Sequence, residues 1–247
     1  MSILQSIWLC LTGKSKPSQP NPSLQNPFQQ KPFHQDQPCY NKEAVHDKTA
    51  LILDIHENQV QAQPSLVIAI HGDVPFGPVG YHNRFAKKLS DASVNVVSVG
   101  LLRPGYKDDK GRRSAGRKGW SVGDNYDHKR IEQIALAIRA LQQKYKPSKT
   151  IVAGHSGGAA ITAKMLGYYP SLIDTAFIVS CPTHINEWRD HMFKLSFNPL
   201  FIGKLNRVSP FQLIDKISSH VHVHVFCGVN DPITPAYFSE CYVTRGC

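Results

Sequence analysis

With 247 residues, 41% hydrophobic and 19% charged, the chain is long and apolar enough to bury a substantial core, which excludes global disorder. Its formal charge of +10 is concentrated in one run, KDDKGRRSAGRKGW (107–120), with neither interleaved aromatics nor a nucleic-acid motif, so a nucleic-acid partner is not indicated. That run reads as a solvated loop, or as a contact for an acidic substrate or surface.

The opening residues, MSILQSIWLCLTGKSK, hold a short apolar patch without a preceding basic region or an A-x-A-like exit, so no cleavable signal is read and the compartment stays open. Residues 14–38 are rich in Pro, Gln, Asn and Ser and read as an extended linker. Patch and disordered linker together make up residues 1–47, and residues 48–247 are expected to form one domain. No apolar run is long enough to span a membrane. The six cysteines show no C-x-x-C spacing, which removes zinc-finger and thioredoxin-like readings.

A first strand is expected at ALILDI (50–55) and a stronger one at SLVIAI (65–70), continuously apolar as a strand covered on both faces should be. The latter ends in His71-Gly72-Asp73. A helix from Tyr81 to Leu89 follows, then the strand NVVSVG (95–100), which exits through RPGY into the basic loop. Ile131, Ile134, Ala135, Ile138 and Leu141 recur at helical spacing between Lys129 and Tyr145, and Pro147 stops that helix.

TIVAG (150–154) is a short buried strand; after the turn HSGG, the small-residue segment AAITAKMLGYY reads as helix up to Pro170. TAFIVS (175–180) is the next strand. The poorly periodic stretch 182–214 is expected to form a lid or cap, and HVHVHVFCG (220–228) is the last strand. Strands alternating with helices imply crossovers, hence an α/β fold with a mainly parallel sheet and helices on both faces. Ligands in such sheets bind at the carboxyl ends of the strands.

Gly154-His155-Ser156-Gly157-Gly158 fits G-x-S-x-G, a tight strand-to-helix turn that thrusts a serine hydroxyl above the sheet. The five-letter pattern alone would arise in roughly one chain of this length in ten. Its setting between a buried strand and a small-residue helix is what gives it weight. A serine attacking an acyl carbon creates an oxyanion, which two backbone N–H groups can stabilise. Gly157 would supply one, and Asp73 or Val74 in the loop after SLVIAI the other.

HGD after one strand, GHSGG after a later one and CGVNDPITP after a still later one together resemble the α/β-hydrolase superfamily, in particular small serine hydrolases of the esterase or prolyl-oligopeptidase-like kind. LLRPGY and GDNY resemble that group more loosely. The resemblance runs from about residue 64 onward. It implies Ser156 as nucleophile, Asp231 as the acid that orients a catalytic histidine, no cofactor, and a small-molecule acyl ester or short peptide as substrate. Asp231 also suits an Asx turn ahead of Pro232.

The resemblance further implies a histidine after Asp231, on a loop beyond one more strand. The residues that follow, PITPAYFSECYVTRGC, contain none, so the last strand, last helix and catalytic histidine are expected to be missing, as in a chain truncated at its C-terminus. His184, in the loop after TAFIVS, is the stand-in base at the correct edge of the sheet; His71 would shape the oxyanion loop through its backbone. His220, His222 and His224 alternate onto one strand face, a spacing able to chelate a metal. The bared edge of HVHVHVF invites pairing with another chain. Three functions therefore stand open: a serine hydrolase, a non-catalytic binding protein on the same scaffold, and a metal-binding protein.

Overall fold

The computed structural model describes residues 50–246 other than Pro75 and residues 120–125. The N-terminal patch, the linker, three of the cysteines and the first three residues of GDNY lie outside the described residues.

Six strands form one sheet: β1 (Leu53–Asn58), β2 (Ser65–Ile70), β3 (Val96–Leu101), β4 (Lys149–His155), β5 (Thr175–Val179) and β6 (His222–Phe226), in the order β1-β3-β2-β4-β5-β6. β1 runs antiparallel to β3 and every other pairing is parallel. The buried apolar runs occupy the central strands β2, β3 and β4, while β1 is only half-buried and carries polar residues, as an edge strand should. It begins at Leu53, later than the apolar pattern suggests, opposite Leu101 at the end of β3, and continues through polar residues to Asn58 opposite Val96.

Helix α1 (Tyr81–Asp91) covers one face, and α2 (His128–Tyr145) and α3 (Gly157–Tyr168) cover the other. The larger core gathers Leu66, Ile68, Val97, Val99, Val152 and Ile178 from the sheet with Ile131, Ile134 and Ile138 of α2 and Ile161 and Met165 of α3. Alternate residues of the same strands, Val67, Ile151, Ala153 and Phe177, form a smaller cluster with Leu89 of α1. Asp127 caps α2 by accepting the Arg130 N–H at 3.0 Å.

Residues 182–214, the stretch expected to form a lid or cap, carry regular structure. They contain helix α4 (Ile185–Ser196) and 3-10 turns at Pro199–Phe201 and Pro210–Lys216. The periodicity is masked by a buried arginine: Arg189, 2% exposed, donates to the carbonyls of Leu200, Ile202 and Gly203 at 3.0–3.3 Å. β6 lies at the sheet edge, pairing with no second strand among the described residues, and α5 (Ala236–Gly246) follows it. Among the described residues, no helix is long and apolar enough to cross a membrane.

Two glycines let α3 seat against the strand ends. A Cβ on Gly158 would lie 2.4 Å from the Ile70 carbonyl oxygen and 2.5 Å from that of His71, and one on Gly154 would lie 2.4 Å from the Gly158 oxygen. These are backbone atoms that cannot turn aside. Gly158→Ala is therefore expected to lower the unfolding free energy by about 1–3 kcal/mol, read as an earlier urea midpoint.

Candidate active site

Ser156 stands at the junction of β4 and α3 with φ 53° and ψ −117°, a backbone conformation that side chains with a Cβ rarely adopt. Its N–H donates to the Val179 carbonyl at 2.8 Å, and its own carbonyl accepts the Ala160 N–H at 3.1 Å, so strand and helix both hold the turn. Such a strained residue costs about 1–3 kcal/mol and persists only where the surroundings over-determine it. The loop after β2 supplies part of that support: a Cβ on Gly72 would lie 2.9 Å from the Ser156 Cβ.

Beneath the turn lies a buried ionic framework. Arg103, 1% exposed, leaves the end of β3 and places Nη2 3.0 Å from Asp73 Oδ1, an ion pair by distance rather than an aligned hydrogen bond. Tyr106 donates to Asp73 Oδ1 at 3.2 Å and Tyr126 donates to Oδ2. The guanidinium carbon sits 4.9 Å from the Tyr106 ring centroid and 5.6 Å from that of Tyr126. Burial pushes both phenols above the ordinary tyrosine value, so they donate to the carboxylate. For Arg103, burial opposes the charge, and the Asp73 carboxylate favours it.

His71 locks this framework to the loop. Its Nδ1 lies 2.7 Å from the Gly72 carbonyl, its Nε2 accepts the Arg103 backbone N–H at 3.0 Å, and the Arg103 Nη1 donates to the His71 carbonyl at 3.2 Å. That pattern requires the neutral tautomer protonated on Nδ1. Burial, followed by the Arg103 charge, holds its pKa well below the ordinary value. The His71 side chain therefore contributes as well as its backbone.

The framework reaches the helix start directly. A Cβ on Gly157 would meet the Tyr126 hydroxyl at 2.6 Å, Asp73 Oδ1 at 2.7 Å and Arg103 Nη1 at 2.9 Å. Around the loop, the Gly72 N–H donates to the Tyr81 hydroxyl at 2.5 Å, and that hydroxyl lies 2.9 Å from His155 Nδ1. Val74 makes a backbone hydrogen bond to the Tyr106 phenol, and its carbonyl accepts from Lys118 Nζ at 2.6 Å. Asp73 through its carboxylate and Val74 through its backbone are thus both held by the framework, with Gly157 packed against it.

Asp231 lies in the loop after β6, where Oδ1 accepts the N–H groups of Ile233 at 2.9 Å and Thr234 at 3.1 Å, which is the Asx turn. Burial lowers the His155 pKa, and the Asp231 charge opposes that shift. His184 occupies the N-cap position of α4 without a side-chain cap bond, its Nδ1 3.1 Å from Thr183 Oγ1 and its ring centroid 4.0 Å from that of Phe211. Among the described residues, no hydrogen bond joins a histidine to Ser156.

The alternating histidines do not form a metal centre. His220 precedes β6 and pairs with Ser218 Oγ at 2.7 Å, while His224 stacks on Phe177 at 4.8 Å. Among the described residues, no group of three histidine, cysteine or carboxylate side chains could hold a metal ion. Arg103 and Tyr106 of LLRPGY and Tyr126 of GDNY carry roles that the loose resemblance of those stretches did not assign, and Tyr81 lies in no quoted motif. RPGY, directly after a parallel strand, was the available signal for the first two.

Neither a protein-family model nor a curated protein matches the sequence. Solved structures do match in shape. An esterase from Pyrococcus furiosus aligns at a TM-score of 0.53 and 17% identity, over 74% of this chain and 69% of its own. Est1E from Butyrivibrio proteoclasticus, with ferulic acid bound, gives 0.56 and 17% over 79% and 81%. An acylaminoacyl peptidase from Pyrococcus horikoshii gives 0.59 and 13% over 79% of this chain but 32% of its own length. The chain has the α/β-hydrolase fold. Within that fold, Ser156 sits at the strand-to-helix turn of a central strand.

Two outcomes follow from the buried groups. Arg103→Met would leave the Asp73 carboxylate uncompensated and is expected to cost about 3–5 kcal/mol in urea unfolding, with part of the loss recovered by adding Asp73→Asn. Burial also holds His82 at a pKa of about 4, against 6.5 for the free side chain. Between those values the unfolded chain binds more protons, so stability is greatest above pH 6.5 and falls on acidification toward pH 4. The loss from His82 is roughly 3 kcal/mol, and His82→Gln should flatten the profile of urea midpoints against pH.

Proposed function

We propose that this protein is a serine hydrolase that cleaves an ester or amide through an acyl-enzyme on Ser156. The observation that carries this reading is the backbone of Ser156: a positive φ held at a strand-to-helix turn, with glycine on its helix side and the loop after β2 packed against its Cβ. The fold, shared with esterases and a peptidase, supports a hydrolase more generally.

In this reaction the Ser156 hydroxyl oxygen bonds to the acyl carbon as its proton passes to a base. The carbonyl oxygen becomes an oxyanion, stabilised by the N–H groups of Gly157 and Asp73 and by the N-terminus of α3. Collapse of the tetrahedral species breaks the bond to the leaving alcohol or amine, which takes up the proton. Water then attacks the acyl-enzyme and restores the serine. Asp231 has the role of orienting an imidazole base. The lack of a histidine bonded to Ser156 among the described residues favours, as a second reading, a binding protein that keeps the scaffold without turnover.

A fluorophosphonate probe should label the protein at Ser156, and Ser156→Ala should abolish labelling. Hydrolysis of 4-nitrophenyl acetate, taken as the difference between the wild type and Ser156→Ala, should rise when imidazole is added as an external base. No labelling, together with no difference between the two proteins at any imidazole concentration, would leave the binding protein as the reading.

A further inference from the structure

The basic loop has no part in the chemistry above, yet it forms one wall of a cavity of about 550 Å³ whose lining includes Tyr106, Lys107, Asp108, Asp109, Arg113 and Lys118. Lys107 and Arg113 face each other across an antiparallel bridge, closed on one side by the Ser114 N–H to the Tyr106 carbonyl at 3.1 Å and on the other by the Asp108 N–H to the Arg112 carbonyl at 2.9 Å. Like charges placed directly opposite destabilise a strand pair. A hairpin shaped only for stability would carry one cation there and one neutral or acidic partner.

The two carboxylates in the lining are already engaged. Asp108 accepts the backbone N–H groups of Lys110 and Arg112 and pairs with the Arg112 guanidinium at 2.6 Å, and Asp109 pairs with Arg84 at 3.2 Å. Neither Arg84 nor Arg112 lines the cavity. Lys118, from the same loop, also lines the cavity, its Nζ 4.8 Å from the Tyr106 ring centroid. Burial depresses the Lys118 pKa, Asp73 opposes that, and the nearby charges of Arg103 and Arg113 depress it further. Three cationic residues, Lys107, Arg113 and Lys118, therefore line one concave space, with Arg113 Nη1 also donating to the Gly105 carbonyl at 2.8 Å.

That space is tied to the loop after β2 by two of its lining residues. The Tyr106 ring lines it while its hydroxyl bonds Asp73, and Lys118 lines it while its ammonium bonds the Val74 carbonyl. Both contacts fall on the loop that faces Ser156. We propose that this cavity receives the carboxylate of the substrate, so that the preferred substrates are esters bearing a carboxylate. The inference rests on the reading of Ser156 as nucleophile, and the test separates the two.

Succinate binding to the full chain, followed by calorimetry, should weaken at least tenfold in the Lys107→Gln/Arg113→Gln double variant and should weaken as salt is raised. The ratio of kcat/KM for 4-nitrophenyl hemisuccinate over 4-nitrophenyl acetate should fall at least tenfold in the same variant. Absence of succinate binding, equal affinity in wild type and variant, or an unchanged ester ratio would overturn the proposal. Binding lost in the variant, with neither ester turned over, would uphold the anion cavity and overturn only the reading of Ser156.

Discussion

The Asp73–Arg103 ion pair is the interaction on which the rest of the elbow depends. Charges this deeply buried are costly to desolvate, and the cost is offset only when their remaining hydrogen-bonding groups are satisfied. Here Tyr106 and Tyr126 complete the carboxylate, and His71 takes the backbone of the arginine. The result ties the end of β3, the loop after β2 and the segment before α2 to one point. That point lies against Gly157, where the space is too small for a Cβ.

This arrangement explains how Ser156 keeps an unfavourable φ without a local remedy. Neither its own side chain nor a cap residue relieves the strain. The conformation is imposed from both ends, by the Val179 carbonyl on the strand side and by the first turn of α3 on the helix side. The glycines at 154 and 158 permit the close approach that makes those contacts possible. Strain at one residue is thus sustained by packing and electrostatics contributed by segments far away in sequence.

The features legible in the sequence were those encoded locally. Continuous apolar runs announced β2 and β4, helical periodicity announced α2, and the small residues after Ser156 announced a helix pressed against a sheet. The framework under the elbow was not legible, because Asp73, Arg103 and Tyr126 are brought together only by the crossovers and no periodicity records which polar groups will meet. Arg189 hid α4 for a related reason: a buried charge that satisfies three carbonyls looks, in sequence, like a solvent-facing residue. The histidine alternation misled in the opposite direction. Period two places side chains on one face but says nothing about where the strand begins, and His220 falls outside it while His224 turns onto an aromatic ring.

Helix α4 also bears on the acid loop. Trp188 Nε1 donates to the Ile233 carbonyl at 2.8 Å, and the His191 Nε2 lies 2.7 Å from the Pro232 carbonyl. The turn that carries Asp231 is therefore fastened to a helix from a different crossover as well as to its own strand. Segment exchange between proteins of this fold, in which the region between β5 and β6 is the natural cassette to swap, would move the anchor of the acid along with the cassette. A graft made here keeps its acid turn only if an indole or an equivalent donor travels with it.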